Sequence, residues 1–141
     1  MTEHSAKDRR YTRIFFNDSD KIMGIMSSAA NESKIYSLSI LNMSQGGIQI
    51  RQKRKEYQGL KKGDEINLCQ IVGLQELVTL TNITMRVMWI MDNEYLDHVI
   101  MGVAFVDLTG DQLKALQSFV KKHLARSKEI HSEHTTEDSE V

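Results

Sequence analysis

The chain has 141 residues, 40% of them hydrophobic, and its 18 Lys and Arg nearly balance 19 Asp and Glu for a formal charge of -1. This length and apolar content suffice for one domain with its own core, without metal or disulfide scaffolding. A single cysteine, Cys69, excludes an internal disulfide framework; set in the apolar run INLCQIV, it reads as a small buried hydrophobe in a reducing compartment.

The first ten residues, MTEHSAKDRR, lack the apolar run of a secretory signal. No later segment approaches the roughly 18 apolar residues of a membrane span, so a cytoplasmic location is expected. Charge is unevenly spread. The closing SKEIHSEHTTEDSEV holds five acids against one base, while Asp8 to Arg126 carries 16 bases against 13 acids. The domain organisation read from this is a flexible tail over 1–7, one domain over 8–125 and an acidic disordered tail over 126–141. The mild positive excess of the central part suits a small anionic ligand and is too weak to argue for a nucleic-acid groove.

In chain order, residues 21–28 and 34–43 read as strands joined by the polar linker AANES, and GIQIRQ continues as a third strand after a Gly-Gly turn. A basic connection containing Arg51, Lys53, Arg54 and Lys55 follows, reading as a solvated loop, and EINLCQIV is a strand over 65–72. Ile83, Met85, Val87, Trp89 and Met91 occupy alternate positions, which predicts a strand with that whole set facing the core. Met85, Met88 and Met91 also fit a helical spacing, but the β-branched neighbours and Trp89 favour the strand. Residues 98–108 form the last strand. Thr109 with Gln112 then matches a capping box, and Leu113, Leu116, Phe119, Val120 and Leu124 trace a helical stripe of about four turns. Lys121, Lys122 and Arg126 are expected near its end, complementing the dipole. Five or six short strands and one helix indicate an all-β fold with a C-terminal helix: a small antiparallel barrel closed or plugged by that helix.

Two motifs carry chemistry. Arg9 and Arg13, with Arg10 between them, present guanidinium forks that grip phosphate bidentately, donate to guanine O6 and N7, or lie on a purine face. In ILNMSQGG, Asn42 and Ser44 are two apart, so on a strand they project from one face. Gly47 lets the backbone turn or approach a ligand. Taken singly, each is an ordinary surface pair or hairpin turn. No constellation for catalysis is evident: the sequence sets no obvious Ser, Cys or carboxylate constellation around His98 and His123, Asp107 and Asp111 bracket a helix start, and His131 and His134 have metal spacing only within the acidic tail. A non-enzyme with no cofactor and no metal is expected.

In order and separation, these pieces resemble the PilZ family of bacterial cyclic di-GMP receptors. The likeness covers roughly Asp8 to Leu124 and is carried by RRYTR, NMSQGG, LKKGDEINL, the VMW at 87–89 and GVAFVDL before the helix. It implies a six-stranded antiparallel PilZ-type β-barrel with cyclic di-GMP on its outer surface, held by Arg9, Arg13, Asn42, Ser44 and Gly47; Arg10, at a free position of the motif, is added as a third guanidinium for the same ligand. Trp89 is a further candidate to flank that site. The family's commonest residue at the first position of the second motif is Asp, where this chain has Asn42. The resemblance further implies an N-terminal arginine loop that orders on binding and signals to an unidentified downstream protein, the receptor being a monomer or homodimer. A PilZ-fold interaction module without nucleotide, and a nucleic-acid-binding barrel, are the alternative readings.

Overall fold

A computed structural model of the chain describes residues 11–28, 34–57 and 59–134, with side chains of the last helix up to Leu124. The strands are β1 (Ile14–Phe15), β2 (Met23–Ser28), β3 (Ile35–Met43), β4 (Gly47–Lys53), β5 (Glu65–Val72), β6 (Ile83–Met91) and β7 (His98–Phe105). One helix follows, α1 (Gly110–His134). All pairings are antiparallel, in the order β1-β3-β2-β5-β6-β7-β4. The additional β3–β4 pairing joins the ends. Strands β2 to β7 thus form a closed six-stranded barrel, and closure removes the unpaired sheet edges that invite aggregation. β1 is a short strip laid against the far end of β3.

Inward positions fill the barrel with branched and flexible apolar chains, among them Met26, Leu38, Ile40, Met43, Ile48, Ile50, Leu68, Ile83, Met85, Val87, Met101 and Val103, all buried. The helix lays Leu116, Phe119 and Val120 against this core, together with Leu77 and Leu80. Burying each such side chain contributes about 1.5–3 kcal/mol. The capping box forms as expected: Thr109 N donates to Gln112 Oε1 at 3.0 Å, and Gln112 N donates to Thr109 Oγ1 at 3.1 Å. Gln112 Nε2 also donates to Thr81 O at 3.0 Å, tying the helix start to the turn before β6. Further along, Lys122 Nζ lies 2.9 Å from Glu76 Oε2 and His123 Nε2 lies 3.5 Å from Glu76 Oε1. The Lys122 hydrogen bond, aided by His123, outweighs burial and holds the Glu76 carboxyl below its ordinary value.

Several expectations are corrected. Strand β6 carries a bulge: Val87 pairs Val103 and Trp89 pairs Gly102, leaving Met88 as the extra residue. An extra residue reverses the alternation beyond it. Ile83, Met85 and Val87 therefore face the core, whereas Trp89 and Met91 face outward. Cys69 is not a fully buried hydrophobe: it is the extra residue of a bulge against Ile25 and Met26 and is only half-buried, its Sγ near Ser27 Oγ. The helix runs well beyond four turns, so Lys121 and Lys122 sit within it, with Lys122 engaged by Glu76. The basic connection is also more structured than a solvated loop. Arg51 and Lys53 belong to β4. The Arg54 guanidinium clamps the β6–β7 connection, donating to Leu96 O (2.7 Å), Asp92 Oδ1 (2.6 Å) and Asn93 O. The expected tail over 1–7, Arg9 and Arg10, and residues 135–141 lie outside the described residues.

Candidate functional site

The second motif is built by a bulge. Along β3, Leu38 and Ile40 point inward, and an unbroken strand would send residue 42 the same way. The register shifts instead: Ile40 pairs Ile50 and Asn42 pairs Gln49, with Leu41 as the extra residue. Asn42 consequently shares the outer face with Gln49, and Met43 takes the inward place opposite Ile48. Bulges of this kind re-aim side chains beside functional sites. Although outward, Asn42 is only 2% exposed, because β1 crosses beside it with Phe15 paired to Asn42 and Ile14 to Met43.

Arg13, the residue before β1, reaches this spot. Its Nη1 donates to Asn42 Oδ1 at 2.6 Å, across 29 positions of sequence. Asn42 Nδ2 in turn donates to Gln49 Oε1 at 2.9 Å. The two sequence motifs therefore meet, and a line of hydrogen bonds runs Arg13, Asn42, Gln49 from β1 to β4. Next in the same row come Gly102 of β7, opposite Gln49, and Trp89 of β6, opposite Gly102. A Cβ on Gly102 would lie 2.2 Å from Trp89 Nε1, so the indole rests on the bare backbone there. Arg51, two residues along β4 from Gln49 and therefore on the same face, lies 3.6 Å from Asp18 Oδ1 through its Nη2. The result is a polar, cationic ledge with an aromatic at one end. Its composition offers donors for phosphate and purine edges and a flat ring for a base.

Ser44 and Gly47 do different work from Asn42. Ser44 lies just past the end of β3 and is buried; its Oγ accepts from Gly46 N at 3.1 Å, and its N donates to Gly47 O at 2.9 Å. The hydroxyl thus shapes the turn into β4. Gly47 has a similar task, since a Cβ on it would stand 2.1 Å from Val103 O and 3.0 Å from Ala104 Cα. Only glycine lets β4 and β7 approach this closely. The Tyr11 ring covers the same turn, 3.0 Å from the place a Gly46 Cβ would take.

Among the predicted site residues the structure brings together Arg13 and Asn42, sets Ser44 and Gly47 in the adjoining turn, and gives no position for Arg9 and Arg10. Gln49 was missed by the sequence reading, for a lone glutamine in a strand carries no signal until its neighbours are known. Among the described residues, no group of three or more His, Cys, Asp or Glu is gathered as for a metal ion, and no helix is long and apolar enough to cross a membrane.

A protein-family profile described as PilZ domain matches residues 7–122. Among solved structures, the PilZ domain of YcgR from Escherichia coli with c-di-GMP superposes with a TM-score of 0.63 at 15% identity, over 88% of this chain and 97% of that one. The K. pneumonia MrkH–c-di-GMP complex gives 0.65 at 13% identity, over 86% and 54%, and the Bacillus subtilis inhibitor of motility MotI/DgrA gives 0.62 at 16%, over 84% and 51%. The chain thus spans nearly the whole YcgR domain and about half of MrkH and MotI/DgrA. Comparison with curated protein sequences finds no match.

Proposed function

The chain belongs to the PilZ family, and from that premise we propose that it is a cyclic di-GMP receptor, with the nucleotide held on the outer ledge by Arg9, Arg10, Arg13 and Asn42. Ser44 and Gly47 serve by building the turn that supports the ledge. The observation that carries this reading is the 2.6 Å hydrogen bond from Arg13 to Asn42, which joins two motifs far apart in sequence at one outward-facing point. The YcgR and MrkH neighbours, whose structures hold c-di-GMP, lend it support.

In this reading the phosphates meet guanidinium groups in charge-assisted bonds, while guanine is distinguished by its acceptors at O6 and N7. Binding draws the arginine segment over the ledge, and the moved segment is what a downstream protein in the cytoplasm reads; the shift is limited by the difference in affinity between the two positions. The protein acts by binding, not by turnover. Calorimetry with cyclic di-GMP tests the assignment. Arg13→Ala removes a bidentate donor worth about 1–3 kcal/mol, so affinity falls roughly fivefold to more than a hundredfold. Unchanged affinity would remove Arg13 from the site. Cyclic di-AMP, which carries an amino donor where guanine has O6, binds more weakly; equal binding of both nucleotides contradicts the base readout.

A further inference from the structure

We propose that Gln49 is a positioning residue of the nucleotide site, acting through Asn42 to hold Arg13. The inference rests on the receptor reading above and adds a residue that neither motif contains. A guanidinium has donors only, so whatever holds Arg13 at this point must turn an acceptor toward it. Asn42 has a carbonyl on one side of its amide and an NH2 on the other, and the two orientations occupy almost the same space. One seats Arg13. The other sets donor against donor and repels it.

Gln49 backs the first of these, with its own amide turned to accept. Its Oε1 accepts from Asn42 Nδ2 at 2.9 Å, so the Asn42 oxygen is left on the Arg13 side, where it accepts at 2.6 Å. With Gln49 as it stands, turning the Asn42 amide over would break both bonds at once. Because Asn42 is 2% exposed, water offers little substitute for either of them. The chain of bonds is also directional, each donor polarising the next. Gln49 is well placed for this because its strand register is fixed on both sides, by Asn42 on β3 and by Gly102 on β7. Among the described residues its side chain has no hydrogen-bond partner other than Asn42.

A carboxylate at position 42 would not need this help, since both its oxygens accept and turning it over changes nothing. This provides the test, a cycle of four full-length proteins titrated calorimetrically with cyclic di-GMP. Gln49→Met, similar in size but without the acceptor, is expected to weaken binding about threefold to tenfold in the natural background. In an Asn42→Asp background the same change should cost less than about twofold. Equal losses in both backgrounds would mean that Gln49 touches the ligand itself or supports the sheet generally, and would overturn the proposal, as would no loss in either. A second measurement needs no nucleotide. In the free, 15N-labelled protein the hydrogen-bonded side-chain amide proton of Asn42 should resonate downfield and move upfield in Gln49→Met. Unmoved, it refutes the positioning role; should the natural protein bind no cyclic di-GMP, the receptor reading fails while the resonance still decides the Gln49 contact.

Discussion

Replacing Gly47 by alanine tests whether this glycine serves the barrel seam. The new Cβ would stand 2.1 Å from the Val103 carbonyl oxygen. Ordinary carbon–oxygen contacts begin near about 3.3 Å, so roughly 1.2 Å of overlap must be relieved. Nothing flexible is available to yield, because the obstructing atoms belong to the backbone of β7. Relief means parting β4 from β7 at the Gly47–Ala104 pair and straining the neighbouring Phe105 N to Gly46 O bond of 3.0 Å. Overpacking of this sort costs about 1–3 kcal/mol, and a weakened hydrogen bond adds about 1 kcal/mol. A destabilisation near 3 kcal/mol is expected, lowering the melting temperature by about 10 °C. Gly24→Ala is the control. Gly24 is also buried in a strand, but the closest atom to its added methyl, at 2.7 Å, is the mobile end of Met26, with Ile40 and Leu68 methyls at 3.4 Å. Its cost should stay below about 1 kcal/mol. Urea unfolding followed by circular dichroism compares the two. Equal midpoints for both variants would refute the reasoning that the close passage of β7 dictates glycine at position 47.

Gly102→Ala is expected to lift the Trp89 ring from its seat, since the added carbon would lie 2.2 Å from the indole nitrogen. Trp89 is the sole tryptophan, so its emission should shift to the red without a large loss of stability, and an unchanged spectrum would show that the ring does not lie on Gly102. Glu76→Gln tests the tie between the 3-10 turn at Gln75–Leu77 and α1. The Glu76 carboxyl is held below its ordinary 4.5, so its contribution is present above that value and is lost as pH falls through the lowered one. The pair is largely solvent-facing, which limits it to about 0.5 kcal/mol. Denaturation curves of the two proteins should therefore differ slightly at neutral pH and converge in acid; a gap that widens on acidification reverses the sign and defeats the assignment.

Much of the barrel could be read from the chain because its strands keep apolar residues inside over several positions. EINLCQIV occupies the 65–72 segment expected of it, and Thr109 with Gln112 caps the helix. What escaped were the bulges. An extra residue such as Leu41 or Met88 has no distinguishing chemistry, yet each reverses the facing of all that follows, which is how Trp89 came to be assigned to the core. Asn42 was placed correctly in a strand, while Ser44 proved to belong to the turn beyond it, so the two do not share a strand face. Arg54 illustrates another limit. Its acceptors on Leu96, Asp92 and Asn93 are about 40 positions away, and only the closed sheet brings them near. Gln49 combines both difficulties, since its meaning depends on a bulge in one strand and an arginine ahead of another.

Phe16 sets how far Arg13 can travel. Its amide is bonded to Leu41 O at 3.0 Å, and its ring lies against Phe119 of α1 with centroids 6.3 Å apart. Arg13 stands three residues earlier, so its backbone is leashed to that anchor by at most about 10 Å of extended chain. Small excursions spend the slack in β1, but a longer pull must be felt at Phe119.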